Sequence, residues 1–281
     1  MSKSLREEIE DLCSARRKAA MREAMDQLSG HSRGSTRDKR NNGIWIAATD
    51  WDTKIYRVFS WKWLLKLLQE KRMGLMRPRR WDDPFENFLL KCTVVSHDGS
   101  PVSLEKVEGS WYGQCWTMNA DSDALWRIYS PNKDGVRVST TVGHLFDAIY
   151  DENDEFASLN YFIGMVRYYE RAEIEKLLNE VSFFDMTGGG PIQFAALLCV
   201  KRPEFEHEKE VRILIRDDKT CFDIREIELD PFALFDELVL DPRLNSDAFE
   251  CQTKQLRAVG WTKAINQSDL YKIELKTIPL S

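Results

Sequence analysis

The residues best suited to chemistry in this chain lie in Glu204-Phe205-Glu206-His207-Glu208-Lys209-Glu210-Val211-Arg212-Ile213. From His207 to Ile215 apolar and polar residues alternate: Val211, Ile213 and Ile215 against Glu208, Glu210, Arg212 and Leu214. A period of two predicts a half-buried strand with Glu208 and Glu210 on one face, their Cβ atoms roughly 7 Å apart. Two carboxylates so placed repel unless something uses them. They can serve as an acid–base pair or stabilise a cationic transition state; equally, Arg212 can neutralise Glu210 on a solvated strand face. A second acidic group, Asp82, Asp83 and Glu86, follows a run of arginines. It reads either as the charged start of a helix at Asp83-Pro84 or as carboxylate ligands for a divalent metal, with no histidine and no known loop spacing to favour the metal.

Two further segments carry polar groups on strands. Ile55 to Ser60 places Arg57 next to Tyr56. Val136 to Val142 alternates Val136, Val138, Thr140 and Val142 with Arg137, Ser139 and Thr141. Hydroxyls beside a guanidinium can orient a polar ligand, or they can form the wet face of an edge strand.

In chain order these three pieces, Tyr56-Arg57, Ser139-Thr140-Thr141 and Glu208-x-Glu210, resemble the Arg…Ser-Thr-Ser…Glu-x-Glu signature of mono-ADP-ribosyltransferases. Over about residues 55–275 the chain also resembles an uncharacterised bacterial domain family, through WDDPFEN, LWRIYS, GVRVST and EFEHEKEVRI. Proteins of that kind occur among toxin and phage-defence genes. The resemblance implies an α+β fold with a mixed or antiparallel β core of the ADP-ribosyltransferase type. It also implies NAD as substrate and a macromolecular acceptor, RNA or protein. By the same resemblance Glu210 stabilises the oxocarbenium-like state as the nicotinamide–ribose bond breaks. Glu208 acts on the acceptor as a general base, Ser139 supports Glu210 and the nicotinamide side, and Arg57 meets the pyrophosphate. Thr140 belongs to the same cofactor-binding motif, while Tyr56, Trp126 and Tyr129 are candidates for stacking on a ring. The middle motif departs from the pattern, being Ser-Thr-Thr, and the long interval from Ser139 to Glu208 implies an inserted segment. Two rival readings stand beside this one. The first is a metal-dependent nuclease using Asp82, Asp83, Glu86 and the Glu208/Glu210 pair; the second is a non-catalytic module that binds a partner.

The elements that must position these residues are legible in outline. Ser4 and Glu7 form a capping-box pattern at the head of a helix reaching Leu28, with an apolar stripe through Leu5, Ile9 and Leu12 to Met21 and Met25. The polar stretch from His31 to Asn42 reads as a linker, so residues 1–42 are expected to be an N-terminal helical arm and 43–281 a single α+β domain with flanking helices. The arm holds ten Lys/Arg against seven Asp/Glu, whereas the whole chain is acidic at -6. Such an arm can dock on its own domain or recruit an antitoxin or other protein partner. Lys71, Arg72, Arg77, Arg79 and Arg80 make a local basic cluster for RNA phosphates or for nearby acids. Further along, helices are expected at Trp61 to Lys71, Glu170 to Val181 and Ser246 to Val259, and a last strand at Tyr271 to Leu275.

Composition bounds the rest. At 43% hydrophobic and 11% aromatic residues this is a folding sequence. Six scattered cysteines without a C-x-x-C pair exclude the common zinc spacings and point to a reducing, cytoplasmic setting. Residues 1–20 lack an apolar segment, and the longest apolar run, Phe194 to Val200, is too short to span a bilayer, so a soluble protein without a membrane role is expected.

Overall fold

The computed structural model describes residues 3–28, 38–81, 83, 85–86, 94–95, 98–102, 105–180 and 190–273. It divides into two compact units: Met1–Thr53, Met73–Met118 and Thr141–Ile227 form the first, and Lys54–Arg72, Asn119–Thr140 and Glu228–Ser281 the second. In chain order the strands are β1 (Gly43–Ile44), β2 (Lys54–Phe59), β3 (Arg72–Met76), β4 (Val94–Val95), β5 (Pro101–Val102), β6 (Trp111–Thr117), β7 (Val136–Thr141), β8 (Tyr161–Met165), β9 (Arg167–Tyr168), β10 (Val200–Lys201), β11 (Glu210–Arg216), β12 (Ile224–Glu228), β13 (Leu238–Leu240) and β14 (Ile265–Gln267). The architecture is mixed, with both parallel and antiparallel pairings and helices flanking the strands.

The first unit is organised on β11. This strand runs antiparallel to β6 from Glu210↔Thr117 to Arg216↔Trp111, and antiparallel to β8 on its other side, where Arg212 lies opposite Gly164. β8 pairs in parallel with β1; β3 joins β6 at Met76↔Gly113, and β12 pairs with β3. The alternation in β11 predicts one wet face, but residues 210–215 are buried on both. Leu214 joins a core with Leu5, Ile9 and Cys13 of the helix Leu5–Leu28, Ile174 and Leu177 of the helix Arg171–Glu180, and Ala195 and Ala196 of the helix Pro191–Leu197. Those covering helices come from distant parts of the chain. A local period of two carries no signal of them.

The same contacts decide how the N-terminal helix lies. Its capping box forms as the sequence predicts, Ser4 N donating to Glu7 Oε2 at 2.8 Å and Glu7 N donating back to Ser4 Oγ at 3.4 Å. The first three turns are docked, and the Leu5 amide donates to Glu173 Oε1 at 2.9 Å. Towards the other end Met21 and Met25 stand 68% and 60% exposed. Part of the stretch read as a linker is built into this unit. Asn42 is buried and donates to the Tyr161 carbonyl at 2.6 Å, and Arg40 stacks over Trp51. Residues 29–37 lie outside the described residues.

The second unit carries strands in the order β2-β7-β13-β14, with β13 antiparallel to β7 (Leu238↔Val138) and parallel to β14 (Leu238↔Ile265). The helix Trp61–Glu70 buries Leu64, Leu67 and Leu68 and ends at Lys71, whose φ of 53° terminates it in the left-handed region. The helix Ser246–Ala258 agrees with expectation, whereas Tyr271 sits in a turn and the last described strand is Ile265–Gln267. Residues 274 and 275 of the expected final strand are outside the described set. Among the described residues no helix is long and apolar enough to cross a membrane.

Candidate functional site

Glu208 and Glu210 are not neighbours along one strand face. Residues Pro203–Glu208 wind into a 3-10 helix, Lys209 takes a left-handed φ of 43°, and β11 begins only at Glu210. The two carboxylates are connected instead through cations. Lys201 Nζ lies 2.7 Å from Glu208 Oε2, 2.8 Å from Glu86 Oε1 and 3.5 Å from Glu210 Oε2. Arg212 Nη2 lies 2.7 Å from Glu210 Oε2 and 3.1 Å from Glu86 Oε1, and its Nη1 donates to the Leu198 carbonyl at 2.6 Å. Three carboxylates thus share two cations inside the first unit. Glu210 is 4% exposed and Arg212 fully buried, so each charge depends on its partners rather than on water. Burial pushes the Glu210 carboxyl up, but the charges of Arg212 and then Lys201 outweigh it and hold the group below the usual carboxylate range. Arg212 stays protonated: burial opposes its charge, and Glu210 restores it. Beside them, burial raises Tyr168 to about 12, and its hydroxyl accepts the Glu210 amide at 3.0 Å.

Two glycines make this slot. A Cβ on Gly113 would meet Trp81 Cζ2 at 2.7 Å, and one on Gly164 would meet Cys199 Sγ at 2.6 Å. Their bareness lets the Trp81 ring lie 4.5 Å from the Arg212 guanidinium and lets Cys199 close on β8. Nothing in the local pattern around Gly113 or Gly164 marks them as members of a site.

The second unit holds the remaining candidates. Alternation along β7 puts Arg137, Ser139 and Thr141 on one face and Val138 and Thr140 on the other. The Arg137 guanidinium lies 5.0 Å from the Tyr56 ring on neighbouring β2, so Tyr56 shares a face with Ser139. Arg57, one residue on, therefore points to the opposite face of that sheet, the side of Thr140, with its guanidinium 5.1 Å from Phe59. Both motif hydroxyls, Ser139 Oγ and Thr140 Oγ1, are buried without a hydrogen-bond partner. Trp126 is buried, its indole N–H donating to Asp121, and is a packing residue of the helix Asp123–Tyr129, while Tyr129 is exposed. The structure thus brings Tyr56 together with Ser139, through the Arg137 guanidinium that shares their face. It does not put Arg57 on the Ser139 face.

Among the described residues, the acids of the nuclease reading each face a cation. Asp83 meets Arg202 at 3.1 Å, and Glu86, Glu208 and Glu210 surround Lys201 and Arg212, whose positive charges fill the space a metal would need. Asp82 lies outside the described residues. The basic cluster is likewise matched. Arg79 and Arg80 meet Asp223, Arg72 meets Glu228 at 2.9 Å, Lys71 meets Asp230 at 3.7 Å, and Arg77 donates to the carbonyls of Thr220 and Phe222. The partners differ from the Asp82, Asp83 and Glu86 that proximity in sequence favours.

Residues 125–213 match the family model described as Protein of unknown function (DUF2971). The match spans β7, β8 and the start of β11. No curated protein matches the chain. Among solved structures, DarT from Thermus sp. 2.9 in complex with ADP-ribosylated ssDNA is similar at 12% identity and a TM-score of 0.36, over 77% of this chain and 94% of that one. The same protein in complex with NAD+ aligns at 13% identity and a TM-score of 0.36, over 77% and 96%.

Proposed function

We propose that the protein is an NAD-dependent mono-ADP-ribosyltransferase that passes ADP-ribose to a macromolecular acceptor, protein or RNA, as a toxin or defence effector. The observation that carries this reading is the pair of buried, unpartnered hydroxyls on Ser139 and Thr140, within the segment whose order with Arg57 and Glu208-x-Glu210 resembles the transferase signature. A desolvated hydroxyl without a partner is costly and calls for a group that completes it. In this reading Ser139 and Tyr56 line the nucleotide side, and Arg57 and Thr140 act from their own face of the sheet. The carboxylate chemistry belongs to Glu208 and Glu210. Glu210 is held ionised by Arg212 and Lys201, and Glu208, whose side chain is 14% exposed, is the one open to solvent. An ionised carboxylate suits a transition state that develops positive charge on the ribose.

The test is incubation of the purified protein with NAD and cell lysate, measuring free nicotinamide and following label from the adenylate into protein and RNA fractions. Nicotinamide release by the wild type and its loss in Glu210→Gln are expected, with transfer of label to the acceptor lost in Glu208→Gln. A wild type that releases no nicotinamide, with or without lysate, refutes the proposal; magnesium-dependent cleavage of nucleic acid in its place favours the nuclease.

A further inference from the structure

One face of the second unit carries more unsatisfied polarity than the motif residues alone. Past the register pair Val138↔Leu238 the Asp236 amide donates to the Ser139 carbonyl at 2.9 Å, so the segment Asp236-Glu237 runs alongside Ser139. On the same face Arg137 Nη2 lies 3.8 Å from Glu237 Oε1 and its Nη1 3.8 Å from Asp121 Oδ2. Both separations are too long for hydrogen bonds. Asp121 is otherwise engaged, accepting from the Trp126 indole and from Ser268 Oγ. Arg137 Nη1 donates to the Ala120 carbonyl, which anchors the guanidinium, but Arg137 Nε has no partner, and neither has Ser139 Oγ. A fixed donor fork, a hydroxyl and a carboxylate with open lone pairs therefore converge without satisfying one another.

The chemistry selects the ligand. With one guanidinium against two carboxylates the cluster is net negative, which disfavours a phosphate and favours a neutral or cationic group. A carboxylate accepts well from two adjacent hydroxyls, as acidic residues do for ribose in dinucleotide sites. We propose that Glu237, Arg137 and Ser139 form a subsite for the vicinal diol of a ribose carrying a cationic base. Glu237 accepts from the diol, and Arg137 and Ser139 donate to its oxygens. The inference rests on the transferase reading and assigns the nicotinamide riboside half of NAD to this face.

The probe is nicotinamide riboside, compared with its 2′-deoxy analogue by calorimetry on the full chain. Glu237→Gln should weaken riboside binding by about tenfold or more, the scale of hydrogen bonds to a charged group, and change binding of the deoxy analogue much less. Ser139→Ala supplies a second, signed readout. It deletes a buried hydroxyl with no partner, so the unliganded protein should melt at the same or a higher temperature while affinity falls several-fold. Riboside binding unchanged in Glu237→Gln, no binding by the wild type, or a lower melting temperature in Ser139→Ala with affinity intact each overturns the subsite. Nicotinamide release is measured in parallel. Glu237-dependent binding without release removes the transferase reading and leaves the subsite; release with Glu237-independent binding does the reverse.

Discussion

Glu210→Gln and Arg212→Met both cut the 2.7 Å bond in the buried network, and the arrangement around them says they differ in cost. Glu86, Glu208 and Glu210 balance Lys201 and Arg212 to a net charge of -1, counted from the residue types in contact. Replacing Glu210 by Gln leaves two carboxylates for two cations, and Arg212 retains Glu86 at 3.1 Å and the Leu198 carbonyl at 2.6 Å. The loss is then chiefly one charge-assisted hydrogen bond, about 2 kcal/mol. Replacing Arg212 leaves three carboxylates around Lys201 alone in a setting with almost no water, a cost of roughly 3–5 kcal/mol. At about 2–4 °C per kcal/mol for a chain of this size, melting should fall by about 4–8 °C for Glu210→Gln and about twice as far for Arg212→Met. The double variant restores the original charge balance, so it should be more stable than Arg212→Met alone, a coupling visible in a double-mutant cycle. Scanning calorimetry or urea unfolding of the four proteins decides the matter. Equal losses in the two single variants, or additive losses in the double, would refute the charge count. At the expected cost Glu210→Gln remains folded at 25 °C, so its nicotinamide release can be assayed apart from its stability.

How far the sequence reveals this site follows from what each signal reports. Periodicity finds β7, β11 and the capped N-terminal helix, because alternation and capping are local consequences of backbone geometry. It misassigns the environment of Glu210 because two of the groups that enclose it, Lys201 and Tyr168, arrive from elsewhere in the chain. The E-x-E spacing likewise presumes continuous strand, and Lys209 breaks that presumption with one left-handed residue. Asp, Asn and Gly signal such a turn; a lysine there gives no warning. Neither Lys201 nor Glu237 is legible as a partner, because each meets its counterpart by tertiary approach and leaves no spacing in the chain. Arg137 stands beside the motif hydroxyls in the sequence, but alternation alone cannot say whether an arginine on a strand faces water or, as here, an aromatic ring and two acids.

Two further outcomes test the packing and the electrostatics. Ile9→Ala should lower unfolding stability by about 2–4 kcal/mol, because Ile9 is buried against the helices Arg171–Glu180 and Pro191–Leu197, while Met21→Gln on the exposed end of the same helix should stay within about 0.5 kcal/mol of wild type; equal effects would mean that the helix is not docked in solution. The last concerns acid. Burial alone would raise Asp217, but bonds from Arg225, the Lys219 amide and Thr220 hold it at about 2, and Glu210 is also held below its ordinary value. A carboxyl whose folded pKa is depressed contributes stability in full above its unfolded value, near 4, and loses it as pH falls through the folded value. The urea midpoint should therefore be flat from about pH 7 to 5 and drop steadily towards pH 2, with a shallower drop in Asp217→Asn, whose residue 217 no longer titrates. A midpoint that holds or rises between pH 5 and 3 would mean that these carboxylates are no more stabilised in the folded chain than in the unfolded one.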